Sequence, residues 1–321
     1  MLRFSTWKAW LLACAVVGCP SISPEANANG LPPGQIYGIN VDNKIYFVDT
    51  VSQSITLTGS SLSTGPKANG FAADRVRNQV FYFASNGDLD YFDIATDTNG
   101  IMATASSLAI TPEFPPEDAT FYNGSYWYIA KGDTANNTLY QATLTYTGSV
   151  PSFSGTPVEY QLTVNGSTTG MLFGDIAVNE TTGRLYGSTT PGSGGLCFTL
   201  DMTTLVAGSS NPVSVLTSSN SVGLQLAFSE DYSVLYGQQY IQTGTGVDAT
   251  TTGQWYTVDT TSGTYSLIPG FITSPGMRDL AGIAAVPEPA ACVLAGVGVM
   301  AAIIWRRRRR QRRPSSSMRG L

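Results

Sequence analysis

Asp118, Asp175 and Asp279 each stand immediately before a short apolar run: Ala119-Thr120-Phe121, Ile176-Ala177-Val178 and Leu280-Ala281-Gly282. Carboxylates at one position of a repeated unit converge on the axis that relates the repeats. An all-oxygen set of this kind suits calcium or another polar ligand. The alternative is that each aspartate accepts hydrogen bonds from nearby backbone amides. Gly70 and Gln225 stand near the matching position elsewhere, so the set is incomplete. A second acidic run, Asp88, Asp90, Asp93 and Asp97 before Asn99-Gly100, lacks the closing Glu and the spacing of an EF-hand loop. It reads as solvated turn residues. Trp127, Trp255 and Tyr240 offer faces for stacking on sugars, although aromatics that alternate along strands more often pack inward. The chain contains no histidine, which removes Ser-His-Asp and Cys-His catalysis and most zinc sites. It also lacks a phosphate-cradling glycine loop, a dinucleotide fingerprint and a Gly-x-Ser-x-Gly elbow.

These residues sit in a turn-rich chain. Of 321 residues only 12% are charged, while 34 are glycine and 11% aromatic. This composition argues against a disordered chain or a coiled coil and for short strands joined by turns. The formal net charge of −5 is unevenly spread. Between Asn29 and Pro289 there are 7 basic and 21 acidic residues, a net charge of −14. Such a body repels phosphate backbones, so no nucleic acid partner is expected. Of the four cysteines only Cys197 lies in the body, which leaves no internal disulfide and marks Cys197 as a buried strand residue.

The body repeats. Phe71-Ala72-Ala73-Asp74 leads to Val80-Phe81-Tyr82, Ile176 to Asn179 leads to Leu185-Tyr186-Gly187, and Leu226 to Ser229 leads to Leu235-Tyr236-Gly237. The step from the turn residue to the aromatic is seven each time, 74 to 81, 179 to 186 and 229 to 236. Asp118 to Phe121 before Tyr126-Trp127-Tyr128 is a tighter version with an Asn123-Gly124 hairpin turn. Alternating third strands follow at Leu89–Asp93, Thr138–Ala142, Cys197–Asp201 and Trp255–Asp259, and Tyr265–Ile268 is a fourth. Starts at Phe71, Ala119, Ile176, Leu226 and Ala281 are spaced 48, 57, 50 and 55 residues apart. Four antiparallel strands in about 50 residues is the unit of a β-propeller blade. Residues 279–284 look like a first strand with nothing after it, and Gln35–Ile39 like a second strand with none before it. The expected fold is therefore all-β, a five-bladed propeller over 29–286 whose last blade is shared by both termini. An open multi-sheet or sandwich body is the alternative.

The two ends read as addresses. Residues 1–28 have a basic start, an apolar stretch and Ala26-Asn27-Ala28, an export signal cleaved after Ala28. A loose lipobox ending at Cys19 is the competing site. Near the other end, Val286-Pro287-Glu288-Pro289 precedes 16 uncharged residues, 290–305. Basic residues follow within 306–313, beginning Arg306, Arg307 and Arg308, and 314–321 form a tail. As a helix the apolar stretch spans ~24 Å, short of a ~30 Å hydrocarbon core unless flanking residues help or the bilayer thins. The positive-inside rule keeps the arginines cytoplasmic and the acidic body outside. The order Pro-Glu-Pro, apolar helix, arginine cluster closely resembles the PEP-CTERM sorting signal of Gram-negative-type bacteria over about the last 35 residues. The resemblance implies processing near Pro287-Glu288-Pro289 by an exosortase, with export to the cell surface or an exopolysaccharide matrix. A permanent single-pass anchor is the plainer alternative. The strand repeats, with their Leu-Tyr-Gly and Tyr-x-Val-Asp runs, resemble those of WD40-like and quinoprotein-like propellers, a likeness that carries no activity.

The expectation is an exported, surface- or matrix-sorted binding or structural protein with no catalytic residue. Its expected partners are the exosortase, polysaccharide or other surface proteins, and the membrane until processing. Calcium at Asp118, Asp175 and Asp279 is the one cofactor the residues suggest. The alternative is a glycan-cleaving enzyme, which needs two carboxylates converging in one cleft.

Overall fold

Each apolar run is joined to the following aromatic run by a short turn, and so close a connection pairs the two antiparallel. The computed structural model describes residues 35–62, 68–94, 96–108, 116, 118–129, 137–168, 173–189, 195–217, 220–244 and 250–282. Their strands form five blades, I to V, and a two-stranded ribbon, Thr145–Thr147 with Val150–Ser152. Blade II comprises Asn69–Asp74, Gln79–Phe83, Leu89–Asp93 and Thr98–Ala103 in order from the axis outward. Blade III comprises Asp118–Tyr122, Ser125–Ile129, Thr138–Thr143 and Val158–Thr163. Blade IV comprises Phe173–Asn179, Arg184–Thr189, Cys197–Asp201 and Ser214–Thr217. Blade V comprises Gln225–Phe228, Leu235–Thr243, Thr250–Val258 and Tyr265–Thr273.

Blade I is composite. Asp279–Gly282 is its inner strand, followed outward by Gln35–Ile39, Lys44–Asp49 and Ser54–Ser61. The joint is antiparallel, with Ile36 opposite Gly282 and Ile39 opposite Asp279. The inner strands pack side by side in a closed ring, I to II to III to IV to V and back to I. Closure of this kind hides the inner strands' edges.

The apolar core lies in five layers between neighbouring blades. Phe71, Val80, Tyr82 and Phe92 fill the layer between I and II. Phe81, Phe83, Tyr126 and Tyr128 fill the next, and Trp127, Ile176 and Phe198 the one between III and IV. Leu226, Phe228, Leu235 and Val258 lie between IV and V, and Tyr236, Trp255, Phe271 and Met277 between V and I. Gly187 shows why a glycine follows the tyrosine here: a Cβ at that position would lie 2.1 Å from the Phe198 ring. The Asn123-Gly124 turn has both residues at positive φ, 49° and 73°, as a two-residue hairpin turn requires. Cys197 is a buried free cysteine on a strand, and burial pushes its thiol up to about 12.

Four details depart from the sequence reading. The last repeat begins at Leu280 rather than Ala281, since Leu280 aligns with Ala119, Ile176 and Leu226 at the channel wall. The outer strand of blade V continues past Ile268 to Thr273. Asp90 and Asp93 are buried rather than solvated. Finally, Ser210–Pro212, from the connection within blade IV, pairs parallel with the outer strand of blade III, Leu162 opposite Asn211. Blade III therefore has five strands.

Candidate functional site

Propellers commonly use the central channel, and here it is filled. Three consecutive residues from each inner strand line it, 71–73, 119–121, 176–178, 226–228 and 280–282. Of these fifteen only Thr120 carries a polar side chain. The remaining space is about 30 Å³, room for one or two water molecules.

The aspartates predicted from the repeat stand at one end of this channel, the starting end of the inner strands. Asp175 and Asp279 are fully buried, and Asp118 is 5% exposed. Asp279 Oδ2 accepts the N–H of Phe71 from blade II at 2.7 Å, and its Oδ1 that of Leu280 at 2.8 Å. Asp175 repeats the arrangement, with the N–H of Leu226 from blade V on Oδ2 at 2.5 Å and that of Ile176 on Oδ1 at 2.7 Å. Each of these two carboxylates thus ties its own inner strand to the next. Burial is the largest influence on both, and it raises their pKa values well above the ordinary carboxylate range. The negative charges of Asp279 and Asp118 raise Asp175 further. Tyr126 completes the cluster: its buried hydroxyl donates to the carbonyl of Gly70, and the charges of all three aspartates act on it. Gly70 takes the aspartate's place in blade II because a Cβ there would lie 2.8 Å from that hydroxyl.

The structure thus brings the three aspartates into one electrostatic group. Among the described residues no group of three or more His, Cys, Asp or Glu side chains is arranged to hold a metal ion. Both oxygens of Asp175 and of Asp279 are already engaged by backbone amides. Equal melting temperatures in millimolar calcium and in chelator are expected. A rise with calcium that Asp175→Asn abolishes would establish the cation site, since a ligand of the folded state alone stabilises it.

The other mouth is closed by a group the sequence reading missed. Arg75 follows the turn residue Asp74 and reaches across the channel. Its guanidinium donates to the carbonyls of Ser229, Glu230 and Phe228 in blade V at 3.2, 3.0 and 3.3 Å. It lies 3.8 Å from the Glu180 carboxylate of blade IV and 4.0 Å above the Tyr232 ring. Tyr232 holds φ at 60°, unusual for a bulky side chain, and its hydroxyl bonds Glu180. Gly282 leaves space for this arginine, since a Cβ there would lie 2.3 Å from the guanidinium. A signal was present: Arg75, Glu180 and Glu230 each follow the turn residue of their repeat. Arg75→Met strands three carbonyls and a half-buried glutamate. The expected cost is about 3 kcal/mol, chiefly from leaving the three carbonyls without their donor and only in part from the partly exposed ion pair. A melting temperature within a degree or two of the unchanged protein would contradict it.

Trp127 and Trp255 are buried in the interblade layers and unavailable for stacking on a sugar. The Trp255 indole donates to Thr273 Oγ1 at 3.2 Å. Ala28, Val286, Pro287, Glu288, Pro289, Arg306, Arg307 and Arg308 lie outside the described residues. Among the described residues no helix is long and apolar enough to cross a membrane.

Several solved structures resemble the chain at low identity. A chain of a nidogen/laminin complex is 10% identical, covering 78% of this chain and 97% of that one at a TM-score of 0.44. The Cps50 (Swd1) β-propeller domain of Myceliophteria thermophila is 10% identical, with 74% and 85% covered and a TM-score of 0.39. Hydrazine synthase of Kuenenia stuttgartiensis is 12% identical, with 73% and 65% covered and a TM-score of 0.39. No functional inference rests on these likenesses. No curated protein sequence matches the chain. Residues 285–309 match the family model of the PEP-CTERM protein-sorting motif. That motif implies export, sorting to the cell envelope and processing by an exosortase. The chain is thus an all-β five-bladed propeller that carries a PEP-CTERM sorting motif near its C-terminus.

Proposed function

We propose that the protein is a non-catalytic binding or structural module of the envelope, presenting its outer surface to exopolysaccharide or to other surface proteins. The filled channel carries this reading. A glycosidase needs two carboxyl groups about 5–9.5 Å apart across a cleft that admits a sugar. Here the strongly perturbed carboxyl groups at the channel, Asp175 and Asp279, are fully buried and bonded to backbone amides. That is the environment of a strand-to-strand tie. The acidic body suits an exported protein, and the segment 290–305 holds it to the membrane until the exosortase acts near Pro287-Glu288-Pro289 in a Gram-negative-type envelope.

The test is a glycan array probed with the detergent-purified full chain, with a hydrolysis assay on the same glycans and on polysaccharide from the native envelope. Retention without release of reducing ends is expected. Release of fragments would replace this reading with that of a glycan-cleaving enzyme.

A further inference from the structure

The crossover that adds Ser210–Pro212 to blade III bounds a groove of about 280 Å³ against the strands of blade IV. Arg184 and Asp201 stand opposite each other in register on adjacent strands of blade IV and both line it. Ser209, Ser210, Asn211 and Ser214 line it from the crossover and the outer strand.

The groove is built before any ligand arrives. Asn211 is 5% exposed, and its side chain is fully used. Its Oδ1 accepts the N–H of Val206 at 2.9 Å. Its amide donates to the carbonyls of Ser209, Val206 and Gln161 at 2.9, 3.1 and 3.3 Å. The crossover is thereby pinned both to itself and to blade III. Asp201 caps the short 3₁₀ turn Met202–Thr204, its Oδ1 accepting the N–H and the hydroxyl of Thr203 at 2.9 and 2.6 Å. Those bonds keep its carboxyl below the usual range and ionised, while Oδ2 remains open. Among the described residues Arg184 forms no ion pair. The hydroxyls of Ser209, Ser210 and Ser214 are likewise uncommitted.

An open carboxylate oxygen, an exposed guanidinium that acts on that carboxylate by charge without a salt bridge, and three hydroxyls form a donor and acceptor set for a ligand rich in hydroxyl groups. The volume lies just below the ~300–1,000 Å³ range of small-molecule sites, so the occupant is one or two rings in size. The charges of Arg184 and Asp201 offset each other, and the body's net charge of −14 opposes an anionic ligand.

We propose that this groove binds a neutral saccharide unit, with Asp201 Oδ2 accepting from its hydroxyls and Arg184 and the serines donating to them. The proposal rests on the binding reading above and narrows it to one place and one ligand class.

The test is calorimetric titration of the full chain in detergent with neutral glucose, galactose and mannose oligosaccharides, and with polygalacturonate as the acidic control. Arg184→Gln replaces the guanidinium fork by a shorter, neutral amide at an exposed position, and Ser214→Trp fills the groove. Saturable binding of at least one neutral oligosaccharide is expected, weakened at least tenfold by each variant at unchanged melting temperature. If Ser214→Trp fails to fold, Arg184→Gln alone decides. Neutral-sugar binding that survives both changes would overturn the groove and leave the binding reading intact. Polygalacturonate bound more tightly than any neutral sugar would overturn the ligand class. Retention of native envelope polysaccharide or protein, with no neutral oligosaccharide bound, would overturn the groove alone. No binding of any of these would overturn both.

Discussion

A chain ending at Met277 will lose cooperative unfolding, whereas one ending at Val286 will melt like the full protein. The shorter chain lacks Asp279–Gly282, the inner strand of blade I. Gln35–Ile39 then loses its inner partner, and Leu280 and Ala281 leave the layers they help to fill. The Asp279 carboxylate that accepts the Phe71 amide is lost as well, so the tie from blade I to blade II goes with the strand. The combined loss is of the order of a domain's whole stability, ~5–15 kcal/mol. Calorimetry on the two truncations, with dye binding to report exposed apolar surface, measures it. Matching transitions would mean that the ring is held shut by something other than this strand.

Stability will fall as pH rises from about 4 to about 7, and Asp90→Asn will flatten much of that slope. Asp90 lies on the third strand of blade II and is 5% exposed, with Oδ1 buried and unbonded. Burial, and secondarily the charge of Asp88, pushes its carboxyl up to about 7. In the unfolded chain the same group titrates near ~3.9. Between those values the folded state holds a proton that the unfolded state has released. Its contribution is therefore complete at low pH and lost as pH rises through the folded value. The difference between the two ends of the window is about 2–4 kcal/mol. Asp175 and Asp279 act in the same direction, with their windows extending upward from the ordinary carboxylate range. Asparagine at position 90 supplies no titrating proton and nearly the same shape. Denaturant midpoints measured at several pH values give both slopes, and parallel curves for the two proteins would show that Asp90 is ionised in the folded state.

The legible parts of this molecule are those fixed by neighbours in sequence. The seven-residue step from Asp74 to Phe81, and its copies at Asn179 and Ser229, follow from hairpin geometry, so the blades could be counted before they were seen. Closure was legible too, because residues 279–282 and Gln35–Ile39 present complementary deficits of one strand each. Ser210–Pro212 was not: Ser-Asn-Pro has no strand alternation, and the pairing comes from blade III and the Asn211 side chain. Arg75 stood in plain sight in a repeat position, but its partners come from residues 153 to 155 positions away. The aspartate position was found by repetition, yet what its oxygens bond depends on the adjoining blade. Asp90 looked solvated because its neighbours are acidic, whereas its strand is buried along its whole length.

The crossover and the composite blade have a bearing on synthesis. Blade III acquires its fifth strand only when residue 212 has emerged, by which time most of blade IV has been made. Blades III and IV thus mature together rather than in turn. The wait is longer at the start of the chain. Gln35–Ile39 has no inner partner until Gly282 is made, well over 200 residues after Ser61. At ~5–20 residues per second that is roughly 10–45 s during which an apolar strand edge stands open to any other extended chain. A ring closed by its own last strand therefore gains most from a carrier that keeps the first strands unpaired until the whole sequence has arrived.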